Sequence, residues 1–175
     1  KMIQWQEFLG TYLHKGKRVI GICGTNGKST TTSLAASVLE EAGLDPSAMV
    51  GATVKKWGAN YRTGKSDLFV TEADEFFNNF LAYHPDVIIL NNIEFDHPDF
   101  FKDFDAVLTT FNQFLDNLKG KKTLIFNQDD PGIKTLFAKV GEKHLKKLNL
   151  IGYTLENEPL IQTANSTKGT ITNHD

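Results

Sequence analysis

The chain has 175 residues, which suits one domain, and its 40 % hydrophobic content with 13 Phe is enough to fill a single core. Lys and Arg total 19 against 21 Asp and Glu, and the net charge of -2 leaves no electrostatic footprint for nucleic acid or an acidic membrane surface. No apolar run approaches the roughly 18 to 20 residues that span a bilayer, and the lone cysteine, Cys23, cannot form an internal disulfide; both point to a cytoplasmic protein.

The amino terminus, Lys-Met-Ile-Gln-Trp, lacks the basic, apolar and small-residue order of a secretory signal and does not begin with Met, so the chain reads as a piece of a longer protein. Val19, Ile20, Ile22 and Cys23 then form a short apolar run, the pattern of a strand covered on both faces. A helix is predicted over 29–42, with Leu34, Ala35, Val38, Leu39 and Ala42 on one stripe and Gly43 ending it. Residues 53–66 are polar and punctuated by glycine, which predicts a surface hairpin or loop. A second buried strand is predicted at 67–71 and a short helix at 75–83, followed by a third strand at 86–91.

Phe104, Val107, Leu108, Phe111, Leu115 and Leu118 have helical spacing, with Asp103 or Asp105 favouring the first turn and Gly120 available as a stop. Strands at 123–126 and 148–151 enclose a short helix at 131–139. The stretch 162–175 is rich in Thr, Asn, Ser and Gly and leaves room only for an edge strand at 169–172. Five buried strands alternating with helices predict an α/β fold with a mostly parallel sheet flanked by helices, and such sheets bind ligands at the carboxyl ends of their strands.

The chemistry is concentrated at those ends. Gly24-Thr25-Asn26-Gly27-Lys28-Ser29-Thr30-Thr31 follows the first strand and opens the long helix, as a phosphate loop does. Its amides converge on phosphate oxygens, Lys28 offsets charge on the β and γ phosphates, and the Ser29 hydroxyl is placed for the Mg²⁺ that bridges them. The bland alternative is a turn that merely caps a helix. The longer phosphate-loop pattern has Gly five positions before Gly27, where this chain has Ile22; the shorter Gly-Thr-x-Gly-Lys-Ser/Thr form is met.

The second strand runs into Thr71-Glu72-Ala73-Asp74-Glu75, where Glu72 is the candidate Mg²⁺ ligand and Glu75 reads as a residue favouring a helix start. The third ends in Asn91-Asn92-Ile93-Glu94-Phe95-Asp96-His97-Pro98. His97 in that setting is a candidate metal ligand with Asp96 behind it, whereas His14, His84, His144 and His174 read as surface or structural residues. Asn127-Gln128-Asp129-Asp130-Pro131 reads equally well as a helix-capping turn with Pro at the first helical position.

Together these four segments, in this order, resemble the central ATP-binding domain of the Mur ligases, a P-loop NTPase-like fold. The Glu-Ala-Asp-Glu and Asn-Ile-Glu-Phe-Asp-His segments look most like the UDP-N-acetylmuramate–L-alanine ligase branch, which includes the ligase of a recycled murein tripeptide. The resemblance runs from about Val19 to Pro131 and is weak beyond it. It implies that residues 24–30 cradle ATP, that Lys28 meets the γ phosphate and that Ser29 holds one Mg²⁺. It further implies that Glu72 and His97 hold a second metal, with Lys28, Glu72 and His97 as the catalytic residues. Asn92 and Asp96 match positions implied to place substrate and to orient His97.

The implied reaction phosphorylates the carboxylate of UDP-N-acetylmuramate and lets the amine of an amino acid or short peptide displace phosphate. No nucleic acid or membrane is an expected partner. Asn26 and Ser29 depart mildly from the family, which more often has His and Thr there. Complete members resemble three domains in series, so residues 1–175 read as an incomplete central domain without the UDP-sugar-binding domain before it or the one after it. The competing readings are a non-catalytic nucleotide-binding module, a phosphate-loop kinase or NTPase and, more distantly, a folylpolyglutamate synthase.

Overall fold

The computed structural model describes residues 2–154 and 162–163. The chain enters through a helical turn, α1 (Trp5–Phe8), continued by a π-helical turn over Leu9–Leu13, and reaches β1 (Arg18–Cys23). Then come α2 (Lys28–Glu41), β2 (Ser47–Val54), β3 (Ala59–Arg62), β4 (Leu68–Glu72), a 3₁₀ segment (Phe76–Ala82) and β5 (Val87–Leu90). The second half supplies α3 (Phe104–Asp116), β6 (Thr123–Asn127), α4 (Pro131–Val140), α5 (Glu142–Leu145), β7 (Asn149–Tyr153) and β8 (Gln162–Thr163). Among the described residues the strands form one sheet in the order β3-β2-β4-β1-β5-β6-β7-β8. Pairing is parallel from β2 through β7, and β3 and β8 are antiparallel to their neighbours.

All five expected strands are present, and the apolar runs of the central ones, β1 and β5, are explained by packing on both faces. In β1, Val19 and Cys23 join the larger cluster under α3 and α4, whereas Ile20 and Ile22 face the smaller one under α2. Likewise Ile88 and Leu90 of β5 look one way and Ile89 the other. The larger cluster is aromatic: Phe80 stacks on Phe114 at 4.2 Å and meets Phe111 edge-on at 5.4 Å. Asp130 caps α4 by accepting the Ile133 amide at 2.8 Å, with Pro131 in the first turn, so the capping reading of that cluster holds. Asp103 caps α3 in the same way.

Four expectations need correction. The hairpin begins at Ser47, further upstream than expected, because β2 extends the sheet before the chain turns into β3. The inner face of α2 is centred on Thr32 and Ala36, small enough to lie against Ala48 and Val70, with Ala35 and Leu39 packed beside them as expected, while Leu34 and Val38 point outward at 59 % and 66 % exposure. Helix α3 stops at Asp116, two residues short of Leu118, where the side chain of Asn117 donates through Nδ2 to the carbonyls of Leu81 and Tyr83. The segment expected as a helix at 75–83 is 3₁₀ with Phe77 and Asn78 in the left-handed region, since its ends are pulled apart: Phe80 sinks into the core while Phe76 and Phe77 lie over Phe100. The strand expected at 169–172 lies outside the described residues. Among the described residues no helix is long and apolar enough to cross a membrane.

His14 is structural, as expected. It is 4 % exposed, packs edge-on against Phe69 and Tyr83, and neither ring nitrogen has a hydrogen-bond partner among the described residues. Burial, aided by the Lys119 charge, lowers its pKa from 6.5 to about 4. The folded chain therefore refuses a proton that the unfolded chain accepts, so this contribution to stability is complete above about pH 6.5 and falls away toward pH 4. The loss over that interval is about 3 kcal/mol, taking about 1.4 kcal/mol per pH unit. Urea titrations across this window should show that slope in the wild type and a clearly flatter one in His14→Phe. Equal slopes would remove His14 from the account.

Candidate active site

Strands β4, β1 and β5 lie side by side, and the chain crosses from one half of the sheet to the other around β1. Their carboxyl ends bring three segments together: Glu72 from β4, residues 24–30 from β1, and residues 91–94 after β5. The loop passes so close to the last of these that a Cβ on Gly24 would sit 2.9 Å from the Asn92 carbonyl oxygen, in a backbone conformation (φ 132°) that favours glycine. The two segments are then stitched together. Asn92 accepts the Asn26 amide at 2.8 Å through Oδ1 and donates back to the Asn26 carbonyl at 3.1 Å, while its own carbonyl takes the Thr25 amide. The Thr25 hydroxyl accepts the Glu94 amide at 2.8 Å, and Asn91 Nδ2 donates to the Thr31 hydroxyl at 3.0 Å.

Held in this way, the loop and the first residues of α2 line a cavity of about 260 Å³, with Glu72 as the wall opposite. Lys28, Ser29 and Glu72 are therefore brought together. The Glu72 carboxylate is fixed by the Gly51 amide of β2, 2.7 Å from Oε2, and a Cβ on Gly51 would lie 2.8 Å from both carboxylate oxygens. Glu72 also lines a second cavity of about 270 Å³, shared with Trp5, Asn60, Asn79 and Tyr83. Hard oxygen donors from Ser29 and Glu72 in one polar cavity fit Mg²⁺, which takes one or two protein ligands and fills the rest with phosphate and water.

His97 stands apart. It does not line the loop cavity, and among the described residues no three His, Cys, Asp or Glu side chains form a metal-ready group. It turns the chain in the left-handed region (φ 54°), its ring stacks on Phe76 at 4.3 Å, and Asp96 accepts its amide at 2.7 Å with the other carboxylate oxygen 3.8 Å from Nε2. The imidazole itself is packed by Phe76 and has no hydrogen bond to Asp96 at that distance, whereas both polar atoms of the Asn92 side chain are committed to the loop. Glu75, expected only to favour a helix start, is 2 % exposed and bonded to Lys28 at 3.0 and 3.2 Å. Burial pushes its carboxyl up, against the downward pull of the Lys28 ammonium. Gly51, Glu75 and Asn91 are the contributors that sequence reasoning missed. Of these, only Asn91 carried a signal, its place at the end of an apolar run.

Fold and loop together define a phosphate-loop α/β domain. The Mur ligase middle domain model matches residues 22–173, and the chain belongs to the Mur ligase family. It is 38 % identical over 136 residues to a UDP-N-acetylmuramate–L-alanine ligase of Caldicellulosiruptor bescii, covering 78 % of this chain and 30 % of that protein. To the ligase of the same name from an Arthrobacter species it is 43 % identical over 121 residues, 69 % of this chain and 26 % of the relative. The chain thus spans about a third or less of these relatives. Among solved structures, the UDP-N-acetylmuramate:L-alanyl-gamma-D-glutamyl-meso-diaminopimelate ligase of Neisseria meningitides superposes with a TM-score of 0.77 at 29 % identity, over 86 % of this chain and 50 % of that one.

The Asn92 clamp is testable without any ligand. In Asn92→Ala the Asn26 amide loses its acceptor, and its hydrogen exchange should quicken about tenfold or more, the worth of one such bond. Asn92→Asp keeps the acceptor and should keep the protection. An unchanged rate at Asn26 in the alanine variant would show that something else holds the loop.

Proposed function

We propose that this chain is the ATP-binding part of an ATP-dependent amide ligase of peptidoglycan precursor synthesis, acting in the cytoplasm. In this reading it activates the carboxylate of UDP-N-acetylmuramate as an acyl phosphate for attack by the amine of L-alanine. The observation that carries the reading is the one cavity in which the loop amides, Lys28, Ser29 and Glu72 face each other. It is supported by family membership and by the names of the relatives.

A carboxylate repels nucleophiles, and phosphorylation turns one of its oxygens into a leaving group. The substrate oxygen bonds to the γ phosphorus as the bond from that phosphorus to the bridging oxygen of ADP breaks. The amine nitrogen then bonds to the acyl carbon, phosphate departs with the electron pair of its C–O bond, and the nitrogen gives up a proton. In this scheme the amides of residues 25–30 hold the β and γ phosphates in line, and Lys28 offsets the charge gathering on the transferred group. Mg²⁺ on Ser29 and Glu72 would supply further charge neutralisation there. His97 serves the acyl phosphate side, and Asn92 acts by placing the loop.

One alternative has its own support, the superposition on the tripeptide ligase from Neisseria meningitides: the incoming amine is then that of the tripeptide. Phosphate release by the full-length protein with Mg-ATP and UDP-N-acetylmuramate, comparing L-alanine with L-alanyl-γ-D-glutamyl-meso-diaminopimelate, separates the two. Lys28→Ala should lower turnover on the preferred amine at least about a hundredfold, as loss of a charge-stabilising group does, with the circular dichroism of the fold retained. No phosphate release with either amine by a folded protein would sink the ligase reading.

A further inference from the structure

Lys28 is fully engaged by groups of its own chain. Its ammonium lies 2.8 Å from the Gly24 carbonyl oxygen, 3.2 Å from that of Thr25, and 3.0 and 3.2 Å from the two oxygens of Glu75. An ammonium has three protons, and these three groups use them. Asp74 adds a second, more exposed carboxylate at 3.8 Å. A phosphate oxygen that takes a proton from Lys28 must therefore displace one of the acceptors. The two carbonyls belong to the loop itself and travel with it. Glu75 comes from a different element, the turn after β4, and it alone among the three carries a charge of the same sign as phosphate.

The pairing also explains how Glu75 is tolerated. A carboxylate at 2 % exposure is costly unless it is paired, and Lys28 is its only bonded cation among the described residues. The arrangement is thus mutual: Lys28 neutralises a buried anion, and Glu75 holds the lysine inside the loop.

We propose that Glu75 is the intrachain counter-ion of the phosphate-loop lysine, holding the Lys28 protons that a nucleotide phosphate would need, so that phosphate binds in competition with Glu75. This rests on the nucleotide-binding reading of the cavity given above. It makes Glu75 a positioning residue that restrains the loop and weakens ground-state phosphate binding.

The proposal reverses the usual expectation for a mutation in a binding site, because removing the Glu75 charge strengthens binding. Isothermal titration of the full-length protein with inorganic tripolyphosphate and, separately, with adenosine reads it directly. Glu75→Gln should bind tripolyphosphate about tenfold tighter than wild type, the order expected when a buried charge loses its partner, with adenosine affinity unchanged. In a Lys28→Ala background the same substitution should change affinity less than about twofold, since the competition is for that lysine. Should Glu75→Gln fail to fold, Glu75→Asp, whose shorter side chain pulls the charge back from Lys28, should give a smaller gain of about threefold.

Equal or weaker tripolyphosphate binding by a folded Glu75 variant would overturn the proposal. So would a gain that persists in full without Lys28, which would make Glu75 a general negative charge rather than a counter-ion. If the wild type binds neither adenosine nor tripolyphosphate, the nucleotide reading itself fails, and the proposal fails with it.

Discussion

Parallel pairing of β1 with β4 on one side and β5 on the other is the constraint from which the site follows. The register sets Ile22 beside Glu72 and Cys23 beside Leu90, so the three strands end at nearly the same height. A loop leaving β1 has to cross the segment leaving β5, and Gly24 is the residue that lets it pass over Asn92 without a clash. From that crossing come the Thr25, Asn26 and Thr31 bonds to Asn91, Asn92 and Glu94, and the direction of α2. The phosphate loop is shaped from outside as much as by its own glycines.

The same geometry decides where charge is placed. β4 carries Glu72 to the wall of the loop cavity and then turns inward with Glu75, so two carboxylates three residues apart have opposite surroundings. Glu72 keeps its oxygens at the cavity, steadied by one backbone amide from β2. Glu75 is buried against Lys28 and supplies the countercharge that keeps a lysine in so tight a loop. A buried pair of this kind adds little net stability, because desolvation offsets most of the attraction; its value lies in fixing one conformation.

Much of this was legible in the sequence, for identifiable reasons. Strands covered on both faces write themselves as unbroken apolar runs, which is why 18–23, 68–72 and 87–90 were recognisable, and 123–127 and 149–153 carry similar runs while only partly buried. β2 was not, since Ser47-Ala48-Met49-Val50-Gly51-Ala52 is small and mixed and the strand is exposed over Gly51, Ala52 and Thr53. The stripe on α2 was right at Ala35 and Leu39 but wrong at Leu34 and Val38, because the helix packs most closely through the small residues Thr32 and Ala36. The loop announced its chemistry through spacing alone. Glu75 did not, because spacing carries no information on whether a carboxylate after a strand turns to solvent or to a lysine 47 positions away. His97 was singled out by its place after β5, yet the fold sets it against Phe76 and not in the cavity with Glu72.

The account stands on the crevice formed by β4, β1 and β5 being the seat of a triphosphate. The most direct measurement is a crystal structure of the full-length protein with Mg²⁺ and a non-hydrolysable ATP analogue. The account predicts phosphate oxygens on the amides of residues 25–30, the γ group against Lys28, and the ion bound through Ser29 and Glu72. A nucleotide seated elsewhere, with the loop amides and Glu72 untouched, would contradict it.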